Sequence, residues 1–341
     1  MEDAIVDKKK NISKLIKMLV ICVCIILFLC ISLSIEYFNT DRMDYVVNSD
    51  QKTCTITGAK KNNILFLRIP EKIDEYVVTE IAPQAFKDHK LFGVVFPSTI
   101  TKIGKQAFAD CKYLLWVKNI NNCKSLKIIE SEAFLGCVNL KKLELSSEIT
   151  TIGERAFFEC ASWRNPSIPS GLETIDHAVF ALCQSFKEIF IPANVRHISP
   201  TAFTACTSLE KITVDETNQY WCVFEGALFS KDMKNLLFHA PGINEDTFTI
   251  PSGVEVISDR AFYCNDSLRT LNIPNSIKEI GDLILLMVDF KNSQFDTINY
   301  DGTIDMWKSI KKSSDWDLSS PNFTIYCTDG QIAKDGTVTY N

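Results

Sequence analysis

The phrase Ala-Phe-x-x-Cys recurs along this chain at an almost constant interval, and that interval leaves few folds open. It stands at Ala107-Phe108…Cys111, Ala133-Phe134…Cys137, Ala156-Phe157…Cys160 and Ala202-Phe203…Cys206, and with Val for Ala at Val179-Phe180…Cys183. Weaker copies lie at Ala85-Phe86 and Ala261-Phe262. From Phe86 to Phe203 the steps are 22, 26, 23, 23 and 23 residues, and the next, to Phe262, is 59. A period in the twenties marks a solenoid, in which each repeat is one coil stacked on its neighbours.

Other positions keep the same register. An Ile stands five residues before each Phe: Ile81, Ile103, Ile129, Ile152, Ile175, Ile198 and Ile257. A large apolar residue follows six later, at Leu114, Leu140, Trp163, Phe186, Leu209 and Leu268, with Phe92 in the first copy. Alternating runs then appear, such as Leu140-Lys-Lys-Leu143-Glu-Leu145 and Phe186-Lys-Glu-Ile189-Phe-Ile191. Alternation with period 2 predicts a short strand with one buried face. Pro closes several of these runs (Pro192, Pro251, Pro274), because it lacks an N–H and fixes φ. Each coil is therefore expected to be a strand, a turn, a second extended piece ending in Ile, and one helical turn carrying Ala-Phe-x-x-Cys. One coil buries about six apolar side chains, roughly 12 kcal/mol at about 2 each. Ordering some 23 residues costs at least about 1 kcal/mol apiece. Coils must therefore stack to be stable.

The pattern Ile-Pro-x-x-Val/Ile-x-x-Ile-(Gly/Ser)-x-x-Ala-Phe-x-x-Cys-x-x-Leu resembles the BspA-type (treponemal subclass) leucine-rich repeats. It is seen from Ile191-Pro192 through Val195, Ile198-Ser199, Ala202-Phe203 and Cys206 to Leu209. The resemblance covers about residues 80–285 in at least seven copies. It implies a β-rich α/β solenoid, a right-handed leucine-rich-repeat array with short helical turns, N- and C-terminal caps and an internal hairpin insertion. His89 and Asn265 replace the ladder Cys, and Leu285 stands where Phe belongs after Ile280-Gly281.

Five organisational units are expected. Residues 1–17 form a basic cytoplasmic tail, 18–35 a transmembrane signal anchor, 36–80 a linker and N-terminal cap, 81–285 the solenoid, and 286–341 a C-terminal cap module. Residues 18–35 carry no charge, and twelve of them are Leu, Ile, Val or Phe. Eighteen helical residues span about 27 Å, just enough to cross a bilayer. Lys8, Lys9, Lys10, Lys14 and Lys17 precede the stretch, whereas Glu36, Asp41 and Asp44 follow it with Arg42. The positive-inside rule puts the N-terminus in the cytoplasm and the repeats outside. The competing reading is a cleaved signal peptide at Ser32-Leu33-Ser34, which would leave the protein secreted.

The 59-residue step is expected to hold a hairpin insertion at about 215–249, with strands at 224–229 and 235–238, that stays in the sheet. In the tail, 303–310 is expected to form a short helix with Trp307 and Ile310 facing the core. Trp307 and Trp316 are expected to pack rather than bind a ligand.

Composition narrows the function. Formal net charge is −6, with no basic run beyond the N-terminus, which argues against nucleic acid. Thirteen Cys are present but no C-x-x-C; the ladder members Cys111, Cys137, Cys160, Cys183 and Cys206 are expected as small buried hydrophobes giving weak S–H bonds to carbonyls. A disulfide among Cys54, Cys123, Cys222 and Cys327 is left open. The four His (89, 177, 197, 239) are expected at the surface without a catalytic role, and no cofactor, metal or catalytic motif is read. Strand positions pointing away from the core should line a concave sheet, where solenoids take partners. They are Val95, Trp116, Lys118, Lys142, Glu144, Glu188, Phe190, Lys211 and Thr213, together with Asn165, Ser167, Thr270 and Asn272. Val95, Trp116 and Phe190 are expected to be exposed apolar members. The resemblance implies a non-catalytic, membrane-anchored extracellular protein that binds or adheres to an extracellular protein or a host or envelope surface ligand. The alternative is a cell-envelope structural or self-associating scaffold.

Overall fold

Alternating strand patterns and a repeated apolar frame assemble into stacked coils. The computed structural model describes residues 43–59, 64–164, 166–286 and 294–341. The expected cytoplasmic tail, the anchor at 18–35 and Asn165 lie outside the described residues, among which the chain winds through about 11 turns with little helix.

The coils build two parallel ladders. The Ile five residues before each Phe ends a strand that pairs with its counterpart in the next coil. Ile81 faces Ile103, Ile103 faces Ile129, and Ile129 faces Ile152. Ile175 then faces Ile198, and farther on Leu236, Ile257 and Ile280 follow in register. Packing is close where Gly follows the Ile: a Cβ at Gly104 would meet the Ile81 carbonyl oxygen at 2.6 Å.

The second ladder is made of the alternating runs and forms one broad face in three stretches. Phe66–Arg68, Gly93–Val95 and Trp116–Lys118 pair in parallel, extended by a single bridge from Trp116 to Lys142. Glu188–Ile191 pairs with Lys211–Val214. Thr247–Thr249, Thr270–Ile273, Thr297–Tyr300 and Thr324–Cys327 continue in parallel, and Gly330–Ala333 and Val338–Tyr340 add two antiparallel strands. The expected strands at 140–145 and around Ser167 do not form as regular strands. Pro166 and Pro169 bracket the second run, and neither has an N–H to give to a ladder.

The expected helical turn takes a different form. Alternate N–H groups stay within the coil and alternate ones cross to the next. Ala107, Ala109 and Cys111 donate to Gly104, Gln106 and Phe108 in i→i−3 turns. Gln106, Phe108 and Asp110 donate to Ser131, Ala133 and Leu135 of the following coil at 3.1, 2.8 and 2.7 Å. An α-helix keeps every N–H to itself, so it cannot knit to a neighbour in this way. The geometry requires positive φ two residues before and two after the Phe, as at Gln106 and Asp110 (56° and 58°) and Glu132 and Gly136 (60° and 69°).

Inside the stack runs an aromatic spine. Phe86, Phe108, Phe134, Phe157, Phe180 and Phe203 are stacked with centroid separations of 5.3, 5.2, 5.4, 5.7 and 5.5 Å. Burying each Phe is worth roughly 1.5–3 kcal/mol, and a ring pair adds about 0.5–1.5. Phe238, supplied by the insertion, continues the column at 5.6 Å from Phe203.

The insertion is a three-stranded antiparallel unit. Trp221–Phe224 pairs with Ala227–Ser230, which pairs with Asn235–His239, and the last joins Val256–Ile257 in parallel. The insertion thus stays in the sheet, but 224–229 is not one strand. Glu225 and Gly226 carry φ of 43° and 73°, as a two-residue hairpin turn of the primed type requires. In the C-terminal part, Ile304–Ser309 forms the expected short helix, with the Thr303 side chain accepting from the Met306 N–H at its N-terminus. Trp307 and Ile310 are buried, and Trp316 packs edge-on between Trp307 and Phe323 at 5.8 Å from each.

Candidate functional site

The broad strand face, expected to be the concave one, gathers the outward side chains into columns, because parallel pairing places equivalent residues of successive coils side by side. Val95 pairs with Lys118 and Gly93 with Trp116 on the first stretch. Glu188 pairs with Lys211 and Phe190 with Thr213 on the second. Lys142 and Glu144 lie between them, Lys142 held by its bridge to Trp116 and Glu144 accepting from the Asn121 side chain at 3.2 Å. Ser167, Thr270 and Asn272 also lie on this face, whereas Asn165 is outside the described residues.

Exposure separates the three apolar members. Phe190 projects into solvent with 49% of its surface exposed. Val95 and Trp116 are half-buried instead of exposed. The Trp116 ring lies across Gly93, where an added Cβ would come within 2.2 Å of it. It stacks on Phe66 at 6.1 Å, and Lys118 Nζ sits 4.9 Å from its centroid. Gly93 thus provides the seat that a side chain would fill. Beside this cluster, Leu65, Tyr113 and Leu115 are exposed and Phe92 contacts both Phe66 and Tyr113. Phe66 was missing from the expected set because it lies upstream of the first Ala-Phe, outside the repeat register. The apolar run Leu65-Phe66-Leu67 carries no alternation that would mark Phe66 as outward-facing.

Phe190, Glu188 and Thr213 line one hollow of about 320 Å³ together with Pro166, Ser167 and Ile168. The hollow opens beside Pro166, Ser167 and Ile168, which lie outside the regular strands. Glu188 is the one charged side chain among the residues lining it. Among the described residues no group of three or more His, Cys, Asp or Glu is placed to hold a metal ion.

The cysteine ladder is a structural feature. Cys111, Cys137, Cys160, Cys183 and Cys206 donate to the carbonyls of Phe86, Phe108, Phe134, Phe157 and Phe180 at 3.1, 3.2, 3.4, 3.3 and 3.2 Å. Each thiol thus tethers its coil to the preceding Phe. Burial pushes the Cys111 and Cys206 thiols up to about 12, and the three between them are raised well above the ordinary value. All ten described cysteines are free, including Cys54, Cys123, Cys222 and Cys327.

Two of the four His depart from the surface expectation, and the first, His89, is half-buried, its Nδ1 at 3.0 Å from the Lys87 carbonyl and its Nε2 enclosed without a partner. His177 and His197 are exposed, but His239 is 3% exposed, set against Phe248 at 4.7 Å and Phe262 at 6.0 Å. Its Nδ1 pairs with the Asn265 side chain, and its Nε2 has no partner. Burial lowers its pKa below 6.5, opposed by the Asn265 bond. Asn265 itself occupies the inward place that Cys holds in other coils.

Two parallel ladders, an internal Phe column and a broad strand face define a leucine-rich-repeat solenoid. The model of the BspA type leucine rich repeat region matches residues 115–230 and 231–313 in six copies, and the chain belongs to that family. No curated protein is significantly similar to it. Among solved structures, the pneumococcal vaccine antigen PcpA is 23% identical with a TM-score of 0.63, covering 77% of this chain and 71% of its own. A leucine rich cell surface protein from Faecalibacterium prausnitzii A2-165 is 20% identical with a TM-score of 0.51, covering 81% and 98%. A leucine-rich repeat protein from Bacteroides ovatus ATCC 8483 is 22% identical with a TM-score of 0.51, covering 85% and 78%. At these identities the likeness concerns the fold.

Proposed function

We propose that this is a non-catalytic binding protein displayed outside the cell and held to the membrane by residues 18–35, which takes an extracellular protein on the concave face. The observation that carries the proposal is Phe190, a large apolar side chain standing exposed beside Glu188 and Thr213 over a hollow in the strand face. Binding energy at an interface concentrates in a few large side chains that a partner can desolvate, and an exposed aromatic beside a depression can act as such an anchor. The Trp116–Phe66 cluster, with Leu65, Tyr113 and Leu115 around it, supplies a second apolar area on the same side of the array. Anchoring is supported by the uncharged apolar run at 18–35 and the lysines before it. Among the described residues no helix is long and apolar enough to cross a membrane, and the proposed anchor lies outside them. Display outside the cell is also in keeping with the printed description of the Faecalibacterium prausnitzii relative as a cell surface protein.

The test uses intact cells and purified full-length chain. Brief protease treatment of intact cells should remove the repeats, and their survival would end the claim of extracellular display. Phe190→Ser should abolish capture of a heterologous extracellular protein while the melting curve stays unchanged. Trp116→Ala is less informative alone, because it also empties the seat over Gly93. A second reading, self-association, is favoured by one feature: Val338–Tyr340 ends its sheet as an edge strand, and edge strands invite pairing with another copy. Loss of homotypic association alone in edge variants would favour that reading.

A further inference from the structure

We propose that the C-terminal part of the concave face is a separate site for a neutral oligosaccharide. The observation is a row of side chains crossing six strands. Thr249 pairs with Asn272, Asn272 with Asn299, Asn299 with Tyr326, Tyr326 with Gln331 and Gln331 with Thr339. Not one member is charged, and each carries a hydrogen-bonding group. A parallel row two residues upstream has Thr in each of the four parallel strands, from Thr247 to Thr324. Of the equivalent positions in earlier coils, Arg68, Lys118, Lys142, Glu144, Glu188 and Lys211 are charged, whereas Phe66, Gly93, Val95, Trp116, Phe190 and Thr213 are not, so charge interrupts both columns there and neither column here. The change is not a general loss of charge, since residues 201–341 carry 11 Lys and Arg against 20 Asp and Glu.

The amides are already oriented. Asn272 Nδ2 donates to Thr249 Oγ1 at 2.8 Å, and Asn299 Nδ2 donates to Asn272 Oδ1 at 2.8 Å. Each amide nitrogen retains a second hydrogen for a ligand. Holding these side chains in one line removes part of the ordering cost of binding. The row borders an open hollow of about 410 Å³, which Ser252 and Asp301 also line. At the edge of the parallel strands Tyr326 offers an aromatic ring, 46% exposed, to the face of a sugar. Six strands at about 4.8 Å extend the row over roughly 24 Å, and a pyranose ring is close to one strand spacing in length.

Other ligand classes fit less well. An anionic polymer would face the acidic surroundings, including Asp246, Asp296 and Asp301. A protein partner would find a surface of Thr and Asn, where hot spots are sparse. Hydroxyl-rich neutral chains match an array of hydroxyls and amides with one ring.

The full-length chain, in a detergent without a sugar headgroup, is applied to an array of neutral and sulfated oligosaccharides, and the retained probe is titrated calorimetrically. At least one neutral oligosaccharide should bind. Asn272→Ala/Asn299→Ala and, separately, Tyr326→Ala should each weaken it about tenfold or more, while Phe190→Ser leaves it unchanged. Tyr326 is exposed, so its variant decides the matter if the double variant fails to fold. Retention of sulfated probes alone, of none, or of a neutral probe equally by wild type and both variants overturns the proposal. Because Phe190 lies on another stretch of the face, failure here is distinguishable from failure of the protein-binding role.

Discussion

A single ring in the aromatic column contacts both neighbours, so its removal is felt by three coils. Phe157 stacks on Phe134 and Phe180 and also touches Trp163. Phe157→Ala should cost about 3–5 kcal/mol in urea unfolding. A loss below 1 kcal/mol would mean that the column contributes little. His239 is the residue where acid should act. Its folded pKa lies below the ordinary 6.5, so above pH 6.5 it is neutral whether folded or not. As pH falls below 6.5 the unfolded chain takes up the proton first, and stability drops. His239→Gln keeps a donor for Asn265 and cannot titrate. It should flatten the difference in melting temperature between pH 7.5 and pH 5, and an unchanged difference would exonerate His239. Thiol accessibility is a further residue-scale outcome. Ladder thiols are buried and protonated, so among the described cysteines Cys222 and Cys327, which are partly exposed, should react first with a thiol reagent. Rapid labelling of Cys137 in the native protein would contradict the ladder geometry.

At the scale of the element, the coil is held by three parallel lines: Ile strands, Phe rings and Cys–carbonyl bonds. The cysteine line has its own pH signature. The thiols ionise near 9.0 when unfolded but only near 12 at Cys111 and Cys206 when folded. Their contribution is complete below pH 9 and disappears as pH rises from 9 toward 12, because only the unfolded chain releases protons in that window. Each thiol adds a slope of about 1.4 kcal/mol per pH unit. Replacing all five ladder cysteines by Ala should lower stability at pH 7 and markedly flatten its fall between pH 9 and 11. Equal slopes in the two proteins, measured by denaturant titration, would refute the assignment. Exposed ion pairs between coils, such as Lys187–Glu210 at 3.1 Å, add little by comparison.

Across the whole molecule, stability is a sum of coil and interface contributions. Two clusters of buried residues run through the array and interleave on the insertion, where Leu228 belongs to one and Ala227 and Phe229 to the other. The insertion is thus a shared wall between the halves. Removing residues 136–181, which is two periods, brings Leu182 into the place of Gly136 and leaves the register intact. The shortened chain should still unfold in one transition, with a lower midpoint and a smaller denaturant slope because less surface is exposed. Two separate transitions would show that the coils do not share one core.

The period, the Ile and Phe columns, the cysteine–carbonyl bonds and the packed Trp307 were all legible in the residues, since they depend on which side chains are apolar and how far apart they stand. Tertiary structure decided the rest. The paired αL turns around the Phe of most coils form because neighbouring coils claim every second N–H, which no local propensity encodes, and at Phe203, before the insertion, only Ala205 keeps a positive φ. His239 looks polar in isolation but is buried, because the insertion brings it against Phe248 and Phe262. Trp116 is folded down because Gly93 and Phe66 from other strands receive it, and the line from Thr249 to Thr339 exists only once six distant strands lie in register. A linear pattern specifies what repeats along the chain, whereas contact between coils specifies what each repeat meets.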